Sequence, residues 1–115
     1  MFDLLRRASD ICTKYRIDPA TIISVSNIYD FFKNEKCLYG TVLKYEKGDA
    51  MVIFITLVSG WYKQYVFRSE KLDSIRIIRD LERNSFSRRM ISDIMGMSRD
   101  ELERLTIYRK EKQQC

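Results

Sequence analysis

The chain has 115 residues, 45% of them hydrophobic, with 21 Lys and Arg against 16 Asp and Glu for a net charge of +5, and no histidine. That length and apolar content suit one domain, or a small core with a closely attached helical module, and exclude a globally disordered polypeptide. The lack of histidine excludes Ser-His-Asp and Cys-His nucleophile sites and leaves any zinc site to carboxylates and scattered cysteines; the mild basic balance is compatible with nucleic acid without demanding it.

Phe2, Leu5, Ala8, Ile11, Cys12 and Tyr15 recur at helical spacing and predict a first helix over residues 2–15, with Arg6, Arg7 and Lys14 mostly on its other faces. Asp18-Pro19 reads as a helix start, Asp as N-cap and Pro in the first helical position. Ile22, Ile23, Ile28, Tyr29 and Phe32 then predict a second helical segment, weakened by Ser24, Ser26 and Asn27 and open to a split near Ser26.

From Leu38 the pattern changes. Residues 39–46 are rich in β-branched and aromatic side chains, and Lys47-Gly48-Asp49 supplies a turn. Residues 51–58, Met-Val-Ile-Phe-Ile-Thr-Leu-Val, predict a strand buried on both faces, although a short apolar run also suits a buried helix. Ser59-Gly60 is a two-residue hairpin signal, and residues 61–67 make a further strand. The expectation is a three-stranded antiparallel meander with 51–58 in its centre. Tyr39, Tyr45, Trp61, Tyr62, Tyr65 and Phe67 alternate there with Lys44, Lys47, Lys63 and Arg68. Interleaved aromatics and cations can bind RNA or single strands. The simpler account is that aromatics form strands well and one face must pack on helices. An edge or an aromatic face of this sheet could also join two copies.

Leu72, Ile75, Ile78 and Leu81 form a helical stripe with Ser69 as its N-cap and Asn84-Ser85 as its end, a connecting helix between sheet and C-terminal module. Phe86 and Met90 carry the apolar face onward. Residues 91–105 then place apolar side chains at 91, 94, 95, 97, 102 and 105. Gly96 falls where a first helix must end, a position that usually needs positive φ. Ser98 and Glu101 make the Ser-x-x-Glu capping box that opens a second helix. Ser92 is small where the two helices would meet. The spacing of Ile11, Cys12, Tyr15, Ile17, Ile22 and Val25 repeats that of Ile91, Ser92, Met95, Met97, Leu102 and Leu105, with Arg16 for the glycine and Asp18 for Ser98. With Arg16 and Pro19 there, this first copy reads mainly as a packed helix pair.

Residues 91–105 resemble the helix-turn-helix of bacterial transcription regulators, particularly the sigma-region-4 and LuxR-like variety, over the last quarter of the chain only. The resemblance implies a supporting helix over 87–95 and a recognition helix over 99–109. It implies double-stranded DNA as partner, with Ser98, Arg99, Asp100, Glu103 and Arg104 toward base edges and Arg88, Arg89 and Arg109 on phosphates. The charge pattern fits in part: residues 61–89 hold eight basic against four acidic side chains. Asp100, Glu101 and Glu103 instead make the second helix acidic, which favours a protein-interaction adaptor that binds a regulator or polymerase subunit. A helical hairpin with a purely structural role needs the same pattern.

The expected architecture is therefore α+β: an N-terminal helix pair, a three-stranded antiparallel sheet, a connecting helix and a C-terminal helix-turn-helix. Residues 1–84 form the core and possible dimerisation region, and 85–115 form the module packed on it. The expected function is a small DNA-binding transcription regulator acting as a homodimer, with no enzymatic activity, cofactor or metal. Cys12, Cys37 and Cys115 form no Cys-x-x-Cys pair, which suits a reducing cytoplasm. Cys12 is expected to be buried and Cys115 exposed. The N-terminus has no signal-peptide apolar region and the 50–58 run is too short to cross a bilayer, so the chain reads as cytoplasmic with no membrane partner.

Overall fold

The computed structural model describes the backbone of residues 4–31 and 37–105 and the side chains of residues 4–29 and 39–105. The architecture is α+β. The chain divides into two compact units, Met1–Arg68 and Ser69–Cys115.

The first unit begins with helix α1 (Leu4–Tyr15) and continues through four strands, β1 (Ile22–Phe31), β2 (Cys37–Lys47), β3 (Ala50–Leu57) and β4 (Tyr62–Phe67). They form one antiparallel sheet in the order β1-β2-β3-β4. This corrects two expectations: the sheet has four strands rather than three, and the predicted second helix is, from Ile22, a strand, Phe32 lying outside the described residues. Asp18 does cap and Pro19 does follow it, its carboxylate accepting from the Ala20 N–H at 3.0 Å. The helix they open is a single 3-10 turn, Pro19–Thr21. Thr21, Ile22 and Ile23 are consecutive β-branched residues, poor helix formers that suit a pleated surface. Ser24-Val25-Ser26 adds a period of two, and the serines that weakened the helix are exposed on the strand. A bulge between Ile22 and Ser24 resets the register, which then runs Val25↔Leu43, Ser26↔Val42 and Ile28↔Gly40. The predicted 51–58 strand is an inner strand over Ala50–Leu57, with Val52 and Phe54 on one face and Ile53 and Ile55 on the other all buried, while Val58 lies past its end and is exposed. Gly48-Asp49 makes the expected turn between paired Lys47 and Ala50. The Ser59-Gly60 connection is longer than two residues: the Leu57 N–H donates to the Trp61 carbonyl at 2.8 Å and the Gly60 N–H to the Leu57 carbonyl at 3.0 Å.

One face of the sheet packs on α1. Ala8, Ile11 and Cys12 of the helix and Ile17 just beyond it meet Leu43, Tyr45, Val52 and Phe54, with Tyr15, Ile22 and Val25 around them. The Tyr15 ring lies 4.6 Å from that of Phe54 and 4.9 Å from that of Tyr62, adding tilted aromatic contacts to the apolar burial. Leu5, assigned to the buried stripe by its spacing, is 82% exposed. Steps of three residues drift about 60° around a helix each time, so Leu5 and Ile11 end on different faces. Arg7 takes the sheet side instead, donating through Nε to the buried Thr41 hydroxyl at 3.3 Å and lying over the Tyr39 ring. Phe2 lies outside the described residues.

Cys12 is buried as expected, and burial first, with the Asp18 charge second, pushes its thiol above the ordinary 9.0. The unfolded chain therefore loses this proton at lower pH than the folded one. The contribution of this thiol to stability is fully present below pH 9.0 and falls as pH rises above it, because the unfolded state then binds fewer protons at this site. Urea midpoints in reductant are expected to drop between neutral and strongly alkaline pH, and to drop less in Cys12→Ala. Equal slopes in both proteins would show that Cys12 does not carry the effect.

The second unit contains α2 (Glu70–Arg83), α3 (Arg88–Met95) and the described part, 99–105, of a helix α4. In α2 the buried residues are Ser74, Ile77, Ile78 and Leu81, whereas Leu72 is 71% exposed. The same drift explains it: Leu72 and Leu81, three such steps apart, face opposite sides. Ser69 holds the N-cap position without a side-chain bond; its N–H donates to the Asp73 carboxylate at 2.8 Å instead. Asn84 and Ser85 end the helix as expected.

Three helices stop in the same way. A residue at each end has positive φ, Arg16 at 57° and Gly96 at 66° directly after α1 and α3, and Ser85 at 69° one residue past the Asn84 cap of α2. The next N–H reaches back to a helical carbonyl, Ile17 to Cys12, Phe86 to Leu81 and Met97 to Ser92. This is the Schellman arrangement, which satisfies carbonyls that the helix itself leaves open. The repeated spacing in residues 11–25 and 91–105 thus has a real counterpart as far as Asp18 and Ser98. Beyond that the two diverge, into β1 in one case and α4 in the other, so no second helix pair exists at the N-terminus.

Candidate nucleic-acid interface

The α3–α4 connection is built from local chemistry. Ser87 caps α3 by accepting from the Met90 N–H at 3.2 Å. Gly96 sits in the left-handed region, φ 66° and ψ 33°, where a side chain is unfavourable. Ser92 does more than leave room: its hydroxyl donates to the Met97 carbonyl while its own carbonyl accepts from the Met97 N–H. Ser98 then accepts from the Glu101 N–H at 3.2 Å and opens α4 as its spacing predicts. Ile91, Ile94 and Leu102 are buried, and Met95, Met97 and Leu105 are half-buried. All six positions assigned to the apolar face are thus removed from water to some degree.

Ser98, Arg99, Asp100, Glu103 and Arg104 are exposed at the start and along the outer side of α4. Arg88 and Arg89 are exposed in the first turn of α3. Arg109 and the predicted helical residues 106–109 lie outside the described residues, as does Cys115. Arg88 approaches Glu103 at 4.0 Å, both side chains more than half exposed, a surface pair of small energetic weight. Among the described residues no ion pair engages Arg89, Arg99 or Arg104. Glu101 and Arg104 also line a groove of about 340 Å3 with Glu70, Lys71 and Ser74 of α2.

The acidity of α4 has local causes. Asp100 and Glu101 stand in its first turn, where negative charge meets the positive end of the helix dipole. Glu103 faces Arg88. The Arg88–Glu103 contact and the Ser92 hydroxyl bond both escape sequence reading. One joins positions fifteen apart, and the other depends on the left-handed turn bringing Met97 back onto α3.

The aromatic strand residues do not form one platform. Tyr45 and Tyr65 are buried, Tyr39, Trp61 and Phe67 are half-buried, and Tyr62 alone of the six is well exposed. Lys63 lies 5.5 Å from the Tyr65 ring centre. Burial holds the Lys44 ammonium below its ordinary value, since desolvation disfavours the charged form. Strand alternation sends neighbouring aromatics to opposite faces, and the helix-covered face removes Tyr45 from any ligand.

Among the described residues no group of three or more Cys, Asp or Glu side chains is placed to hold a metal, and no helix is long and apolar enough to cross a membrane. No family model, curated protein or solved structure matches this chain.

Proposed function

We propose that this protein is a small sequence-specific DNA-binding transcription regulator in which α3, the Gly96 turn and α4 act as a helix-turn-helix. Support comes from one observation above all: α4 buries Leu102 while it presents Ser98, Arg99, Asp100, Glu103 and Arg104 to solvent, next to Arg88 and Arg89. A helix held by one narrow stripe can enter a major groove with its outer side chains on base edges. In this reading Arg99 and Arg104 read guanine, Glu103 accepts from cytosine, and Arg88 and Arg89 hold phosphates. Contact with DNA would break the exposed Arg88–Glu103 pair at little cost.

Titrations against random and selected duplexes at two salt concentrations test the assignment. Arg89→Ala is expected to weaken binding to all sequences and to reduce the salt slope by about one, since one fewer phosphate is neutralised. Arg99→Ala or Arg104→Ala is expected to relax preference at one base pair, with a loss of roughly 1–3 kcal/mol there. A wild-type protein without salt-dependent affinity for any duplex would remove this function.

A protein-interaction adaptor is the second reading, favoured by charge balance: residues 69–105 carry eight basic and eight acidic side chains. Such neutrality suits a protein surface better than a phosphate backbone.

A further inference from the structure

We infer that the free edge of β1 joins two copies of this chain, β1 pairing antiparallel with β1 of the second copy about a two-fold axis at Ser26. The sheet order leaves β1 and β4 as edges, and among the described residues no strand pairs with the outer side of either. Sheets that remain monomeric protect their edges with short strands, lysines or prolines. The β4 edge follows that rule. It is six residues long, carries Lys63 and runs into Arg68. The β1 edge carries less protection: it is ten residues long, its bulge lies at one end, between Ile22 and Ser24, and it has no proline and no charged residue before Asp30.

The sequence of β1 suits itself as occupant. Centred on Ser26, Val25 lies opposite the partner's Asn27 and Ser24 opposite the partner's Ile28, and Ile23, in the bulge, falls near the level of the partner's Tyr29. Among the described side chains of β1, Ile23 and Tyr29 are the large hydrophobics exposed, at 51% and 42%. The pairing thus covers apolar surface while opposing no like charges, in keeping with the cross-strand contacts that stabilise sheets. A two-fold axis makes the contact self-complementary and closed, which yields a dimer rather than a filament. An eight-stranded sheet results. This inference stands apart from the DNA reading, because it concerns only the first unit.

Sedimentation of the full chain in reductant across the micromolar range tests it, with Ser26→Lys and Ser26→Glu as variants. Wild type is expected at twice the chain mass of 13.8 kDa. Each variant alone is expected at the single-chain mass, since like charges then meet at the axis. An equimolar mixture of the two is expected to recover the dimer, which a folding defect could not do. Circular dichroism checks the fold, with Ser26→Arg in place of a Lys variant, and Ser26→Asp in place of a Glu variant, that loses it. A monomeric wild type, as an edge kept for a strand of another protein would give, overturns the inference. So do variants that dimerise as wild type does, or a mixture that stays monomeric.

Discussion

Gly40→Ala is expected to destabilise the first unit by about 3 kcal/mol, the upper end of the usual cost of overpacking. Gly40 lies on β2 between Ile28 of β1 and Leu57 of β3. A Cβ there would stand 2.2 Å from the Thr56 carbonyl oxygen, 2.8 Å from Leu57 Cδ2 and 3.0 Å from Leu57 Cα. Two of these three atoms are backbone of the neighbouring strand and cannot rotate away, so β2 and β3 must separate locally. A unit of this size should lose on the order of 10 °C or more in Tm. Leu57→Ala in the same chain removes only the Cδ2 contact and is not expected to rescue it. A loss below about 1 kcal/mol would mean that the sheet accommodates the methyl group by twisting.

Gly96→Val is expected to cost roughly 2–3 kcal/mol, most of it within the second unit, because a β-branched residue resists φ 66°. The cost falls on the Met97 N–H bond to Ser92 and the Ser92 hydroxyl bond to Met97, both of which require the left-handed turn. Hydrogen exchange reads this directly. The Met97 and Leu102 amides, bonded to Ser92 and Ser98 in the native protein, should lose protection while the β3 amides keep theirs. Gly96→Asn should retain most of the stability, since Asn tolerates this region. If α4 is the DNA-reading helix, Gly96→Val also abolishes sequence-specific binding. Unchanged protection in the Val variant would show that the turn can adopt another form.

Parts of the structure with local causes are legible in the sequence. The ends of α2 and α3, the left-handed Gly96, the Ser98 cap, the Gly48-Asp49 turn and the inner strand through residues 51–57 all follow from neighbours a few residues apart. The candidate site is legible for the same reason: one short segment contains the turn, both helices and every side chain assigned to them. What followed Asp18 was not local. Residues 19–29 contain a sound helix start and helix-like apolar spacing, yet after one 3-10 turn they enter an edge strand at Ile22, because β2 offers Val42, Leu43 and Gly40 as partners in register. Three-residue spacing likewise marked Leu5 and Leu72 as core, and only the packing of each helix shows that both face solvent while Ser74 lies inward. The Arg7–Thr41 bond, the Arg88–Glu103 contact and the close approach at Gly40 join positions 34, 15 and 17 residues apart. Tertiary structure alone decided these, since no preference of a single segment encodes which distant segment will lie beside it.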